Sequence, residues 1–432
     1  PCHGRVTVLS CRYLLPVVLL ATAVIAAKSA ADVPLFDRGH AKGRWQTSTY
    51  PNDSLLHDAL GDVANDQGGE LRLNFRAGEQ SPWSLHADYQ LLGRFGDTED
   101  VARQLPGLFF VPNTLPDDQR RWWDLTHGIT DSDDREIVQR LDRLHLDYTR
   151  QQAVVRFGRQ AVTWGNGLIY NPMDFLNPFD PAAVDTEYKL GDDMLYGQYL
   201  FDSGSDMQFV SVARRDQDGD VSTDVSSTAL KFHGFGLNQE FDLLVAQHFD
   251  DTVLAGGGVT NVGEAVVRAD LVLTDTPTDW ITSLVVNWSY SWVWGGKNVS
   301  AISEYYYNGF GLSGSNYSLE DFAGDPDLTQ RIIRGELFTV GRHYLAGSLQ
   351  VEWTPLVNIT PNLFVNLRDQ SALAQVVLQW DAGQNWQILG SINVPIGPKG
   401  TEFGGLEVDE GVFEGRTLAA GPSGIVQLAY YF

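Results

Sequence analysis

Basic side chains recur at alternate positions in the first third of the chain. Arg72 pairs this way with Arg76, and Arg143 with His145; His86 and Arg156 lie in similar stretches, with Arg159 just beyond. Arg214, Lys231, His233, Arg268 and Arg368 extend the series. A spacing of two puts side chains on one face of an extended strand, so these residues read as a cationic wall. Around an aqueous path, such a wall selects anions by charge. Acids interleave with it: Asp88, Asp147, Glu264, Asp270, Glu352 and Asp381. The pattern therefore also fits cross-strand ion pairs that fill a polar interior.

A second group of residues has turn chemistry. The run Asn171-Pro172-Met173-Asp174-Phe175-Leu176-Asn177-Pro178-Phe179-Asp180-Pro181 contains Asn-Pro-x-Asp twice. Asn before Pro initiates turns, and a following Asp can bond the backbone. The prolines lower the entropy of ordering the segment. Phe175, Leu176 and Phe179 call for burial, which a solvated surface loop does not provide. Residues 165–190 are thus expected to fold inward as a constriction, formed by Asn171, Asp174, Phe175, Asn177, Phe179 and Asp180. Arg159 would hold Asp174 or Asp180 by a charge-assisted bond. An outer loop packed on its neighbours is the alternative.

Other chemistries find little support. There is no Gly-x-Ser-x-Gly elbow and no His-Glu-x-x-His, so an enzyme is not expected and no catalytic residue is assigned. The cysteines, Cys2 and Cys11, lie within the first dozen residues, which removes a Cys-ligated metal site from the rest. No metal or cofactor is expected, apart from a divalent cation held by loop carboxylates. Asp216-Gln-Asp-Gly-Asp220 has the look of a calcium loop without its closing Glu. With 55 acidic against 30 basic residues and a net charge of −25, nucleic acid is not an expected partner. Aromatics at 11% exclude a disordered acidic chain.

The elements that must carry these residues are strands. Leu71, Leu73 and Phe75 alternate with Arg72, Asn74 and Arg76, and Trp83, Leu85, Ala87 and Tyr89 with Ser84, His86 and Asp88. Similar alternation runs through 345–353 and 386–394, and no long segment carries a helical stripe. Runs of about 10–14 residues exceed ordinary globular strands and suit a tilted membrane-spanning strand. Tryptophans 83, 164, 280, 292, 294, 353, 380 and 386 fall near strand ends, as in an aromatic girdle. The expected fold is all-β: a transmembrane antiparallel up-and-down β-barrel of 18 strands, the first two at 43–49 and 69–79. Loss of the Gly-rich strand 253–262 with a neighbour would leave 16. Long connections at 96–135, 165–192, 312–342 and 396–422 are expected on the extracellular side and short turns on the periplasmic side.

Residues 1–31 read as a signal peptide. Arg5 and Arg12 precede the apolar run 13–27, and Ser29-Ala30-Ala31 supplies the small residues of a cleavage site. The barrel would then occupy 32–432. At the other end, Val426, Leu428, Tyr430 and Phe432 share one face. This ending resembles the C-terminal strand of Gram-negative outer-membrane proteins, which the barrel assembly machinery reads; Leu428, Tyr430 and Phe432 would be the assembly signal. The Gly-Arg-Gln strand, Trp164-Gly165 and the Asn-Pro loop, together with Glu304-Tyr-Tyr-Tyr-Asn-Gly309, resemble porin-like barrels of the alginate-export type. The resemblance implies an outer-membrane, porin-like channel for small polar solutes, anions among them, with the outer membrane and its lipopolysaccharide as surroundings. A structural or secretion-partner barrel, exporting polysaccharide or sheathing an electron-transfer protein, is the alternative. Sequence leaves the oligomeric state open.

Overall fold

The computed structural model describes residues 35–78, 81–99, 101, 115–132, 134–236 and 239–432. The expected signal peptide, its cleavage after Ala31 and both cysteines lie outside them. Eighteen antiparallel strands close into one barrel. They are β1 (Phe36–Thr49), β2 (Val63–Ala77), β3 (Trp83–Gly96), β4 (Arg135–Arg150), β5 (Ala153–Gln160), β6 (Asp192–Leu200), β7 (Asp206–Val212), β8 (Ser227–Gly236), β9 (Gln239–His248), β10 (Asp251–Val262), β11 (Ala265–Asp275), β12 (Trp280–Trp294), β13 (Lys297–Tyr307), β14 (His343–Thr354), β15 (Val357–Asn366), β16 (Ser371–Asp381), β17 (Trp386–Ile396) and β18 (Ser423–Tyr431). Each pairs with its sequence neighbour, and β1 pairs with β18 to close the ring. The 16-strand alternative is overturned, because the Gly-rich β10 is fully laddered to β9 and β11. β1 and β2 begin earlier than expected, at Phe36 and Val63.

The alternation works as the strands require. In β9, Asp242, Leu244, Ala246 and His248 are buried, while Leu243 and Val245 face out. Leu243 is 55% exposed, and Leu85, Leu146, Leu230, Leu271 and Ile392 are likewise exposed on the outer face. A closed ladder pairs the backbone without an edge, and an apolar outer band then suits lipid. Trp83, Trp294, Trp353 and Trp386 are exposed at one end of the strands and Trp280 at the other. Trp164 is a correction to this girdle: it is buried in the interior.

The two ends differ. At the end holding the start of β1, every connection is short: 78–82, 151–152, 201–205, 237–238, 263–264, 295–296, 355–356 and 382–385. All long connections leave the other end. Two of them carry short helices, α1 (Leu55–Leu60) in one and α2 (Leu319–Gly324) and α3 (Pro326–Ile333) in the other, beginning at the caps Ser54, Ser318 and Asp325. These loops share apolar clusters, one around Tyr50, Leu56 and Leu418 and one around Tyr317, Leu328 and Leu406. Below them Glu402 is buried and accepts from Val340 N (3.0 Å), Asn366 Nδ2 (2.8 Å) and Tyr344 Oη (2.5 Å). Burial pushes the Glu402 carboxyl up to about 7. The long connection before β4 holds a further strand, Thr126–Ser132, that pairs with the upper half of β4.

The seam is close-packed. Phe432 N donates to Gly39 O at 2.9 Å and Gly39 N to Phe432 O at 2.8 Å. The Phe432 ring stacks on Phe36. A Cβ at Gly39 would lie 2.6 Å from that ring and 2.7 Å from Arg72 O, so glycine is required by space there.

Candidate functional site

The connection 161–191, between β5 and β6, folds into the lumen and bonds to walls on both sides. Trp164 Nε1 donates to Gln208 on β7 at 2.7 Å. Asn166 donates to Asp270 on β11 through its backbone (2.5 Å) and side chain (2.7 Å), and Asn287 on β12 donates to Asn166 O. The backbone N–H groups of Leu168, Ile169 and Tyr170 converge on the buried Glu304 carboxylate of β13 at 2.8, 3.1 and 2.5 Å. The Tyr170 ring then stacks on Tyr306 with centroids 4.8 Å apart. Across the lumen, Gln375 on β16 donates to Ala182 O. Asp185 accepts from Lys42 on β1 and from Gln427 on β18, both at 2.7 Å. Tyr188 lies over the Arg72 guanidinium at 3.9 Å. An outer loop could not make these contacts, so that alternative falls.

The turn chemistry is partly as the residue types imply. Asp174 N donates to Asn171 O at 3.1 Å, Asn171 Nδ2 donates to Trp164 O, and Asp180 Oδ1 accepts from Ala182 N. Asn177 adopts φ 53°, a left-handed conformation that Asn tolerates better than most residues. Leu176 is buried and Phe175 packs at the edge of the same cluster, which includes the unanticipated Met173. Phe179 departs from expectation: it is 36% exposed. Arg159 does too. It is fully buried in the wall, held by Asp193 Oδ1 (2.8 Å) and Asp118 Oδ2 (2.8 Å), and reaches neither Asp174 nor Asp180. It does not line the lumen. Asp174 is gripped instead by Lys189 Nζ at 2.5 and 2.7 Å. Burial raises the Asp174 carboxyl to about 6, and lowers the Lys189 amine, against the pull of the pair.

Register places Arg72, Arg76, His86, Asp88, Arg143, His145 and Arg156 on inward positions. Their state differs along the wall. Arg72 is 1% exposed and pairs with Asp142 (2.8 Å) and Asp88 (3.2 Å), and Arg143 pairs with the same Asp142 at 2.7 Å. Asp142 is available because β4 is bulged there: Asp88 faces Arg143 and Tyr89 faces Leu141, so Asp142 has no cross-strand partner. Further round the wall, Lys231 pairs with Asp242. Arg76 and Arg156 are more open, with side chains 38% and 39% exposed, each near one acid: Asp37 at 3.2 Å and Asp147 at 3.4 Å. His86 and His145 lie between them. Among the described residues no group of His, Cys, Asp and Glu is arranged to hold a metal ion. The Asp216 carboxylate accepts from Asp218 N and Asp220 N, closing its own turn.

Glu304, Lys189, Lys42, Asn166 and Asp185 were missed by the reading of the sequence. Glu304 had a signal, as an acid within the aromatic run 304–309. Lys42, Asn166 and Asp185 are ordinary polar residues whose partners lie far away in the chain, and Lys189 meets Asp174 within its own loop.

No protein-family model matches the chain, and no curated protein matches it. Among solved structures it is similar to OccK5 (OpdH) of Pseudomonas aeruginosa, at 9% identity and TM-score 0.49, over 91% of this chain and 97% of that one. A BenF-like porin from Pseudomonas fluorescens gives 10% identity and TM-score 0.49, over 93% and 99%. Pseudomonas aeruginosa OccK2 (OpdF), solved in complex with glucuronate, gives 10% identity and TM-score 0.47, over 91% and 97%. The likeness to alginate-export barrels finds no support in these structures.

Proposed function

We propose that the chain is a channel of the Gram-negative outer membrane that passes small polar solutes, anions included. In this reading the connection 161–191 is its constriction. The observation that carries it is the bonding of this one segment to opposite walls of a closed barrel. A sheath for another protein needs an open lumen, and this lumen is crossed. The open end of the cationic wall, Arg76 and Arg156 with His86 and His145, would set charge preference, while Arg72 and Arg143 serve as ion-paired struts. The apolar outer band suits the bilayer, with lipopolysaccharide around the long loops. Leu428, Tyr430 and Phe432, on the lipid side of the seam, are what the assembly machinery would read. The glucuronate held by OccK2 is a solute of the expected charge.

The experiment is deletion of residues 168–180 and single-channel recording in planar bilayers. Conductance should rise and larger solutes should pass, while the barrel still resists heat in detergent. Unchanged conductance with an intact barrel would overturn the role given to the loop.

A further inference from the structure

We propose that His86 and His145 form a proton-operated selectivity element at the short-turn end of the lumen. This rests on the channel reading above. The two residues sit directly opposite each other in the β3–β4 register. Their rings stack with centroids 4.7 Å apart and planes 11° from parallel. Face-to-face packing at this distance suits rings of which at least one is neutral, since two imidazolium ions repel. Both side chains remain partly open to the lumen.

The charges around the pair determine what a proton does there. From β2 comes Arg76, beside Asp37 of β1. From β3 itself come the Ser84 hydroxyl, 3.4 Å from His86 Nε2, and Asp88, already engaged by Arg72. From β4 comes Asp147, with Oδ1 2.5 Å from His145 Nδ1 and Oδ2 3.7 Å from His86 Nε2; Arg143 is taken by Asp142. From β5 comes Arg156, 3.4 Å from Asp147 Oδ2, which also lies over the Tyr196 ring of β6. These arginines, and Arg38 of β1, which shares Asp37 at 3.9 Å, are charged at any ordinary pH and already offset Asp37 and Asp147. Each proton taken by an imidazole therefore appears as net positive charge on the wall. Two sites in contact fill in coupled steps. Acidification thus makes the wall more cationic, and anions gain.

The test uses the full-length protein in planar bilayers under a salt gradient. From about pH 7.5 to about pH 5.5 the anion-to-cation permeability ratio should rise by about threefold or more. In the H86Q/H145Q double variant most of this rise should be lost. A wild-type ratio indifferent to pH, or a double variant with the wild-type response, overturns the proposal. If the protein conducts nothing, it is the channel reading that fails. Histidine NMR titration in detergent micelles then decides between the outcomes. Coupled curves for the pair, with His145 reverting to a simple single-site curve in H86Q, support the element; independent curves in the wild type overturn it.

Discussion

The Glu304 carboxylate illustrates how much one residue can carry. It is buried in the wall and satisfied by three consecutive backbone N–H groups of the crossing loop. Bonds to a charged acceptor are among the stronger ones, and losing it leaves three donors, that of Tyr170 buried, without this partner. E304A should therefore weaken docking of the loop by at least about 2 kcal/mol. Limited proteolysis of the intact barrel would show new cleavage between residues 165 and 190; a cleavage pattern like the wild type's would mean the loop is held elsewhere. Residue parity was legible in the sequence: Arg72, Arg76, His86 and Arg156 all face inward as alternation implies. Partners were not. Asp142 neutralises two arginines only because a bulge turns it toward them, and alternation by itself gives no sign of an inserted residue. Arg159 failed for a related reason. Of the two acids that claim it, Asp193 stands opposite on β6 and Asp118 comes from a distant connection whose course no local pattern reveals.

At the level of elements, strand existence was legible wherever the outer face is apolar, and most strand starts with it, but the starts of β1 and β2 were not. Along β1 the positions alternating with His40 and Lys42 are Gly39, Ala41 and Gly43. Those small residues give no hydrophobic beat, yet Gly39 is what lets Phe432 settle on the seam. The helices α1 to α3 are too short for a periodic stripe and owe their position to caps and to the apolar clusters of the loops. The docking of these loops should depend on pH through Glu402. Its carboxyl is held up to about 7 by burial, above its value in an unfolded chain. The folded state thus keeps a proton that the unfolded state releases, so the contribution is full in acid and fades as pH rises through about 7. Protease resistance of residues 397–422 should increase from about pH 8 to about pH 5, by an equivalent of about 3 kcal/mol. E402Q should be flat across that range; a wild-type-like slope in the variant would place the titration elsewhere.

For the whole molecule, the division into a short-turn end and a long-loop end was readable, because turn lengths follow from where alternation stops. The inward fold of 161–191 was also readable, since apolar residues among prolines demand cover. The outer band sets a further expectation. Leu243, in the middle of β9, faces the position of the lipid. L243R should cost about 2–4 kcal/mol in refolding into lipid vesicles, the scale for a cation at the bilayer midplane. A cost near zero would mean this face is not lipid-exposed. Finally, Asp185 touches both the first and the last strand, 143 residues from Lys42 and 242 from Gln427. One inner loop thus clamps the first and last strands together from within. Contacts so remote in sequence are slow to form, because their chain entropy is lost before they repay it. Ring closure and docking of the loop are thus linked in energy, since a ring closed without the loop leaves the Lys42 ammonium without Asp185 and Glu187.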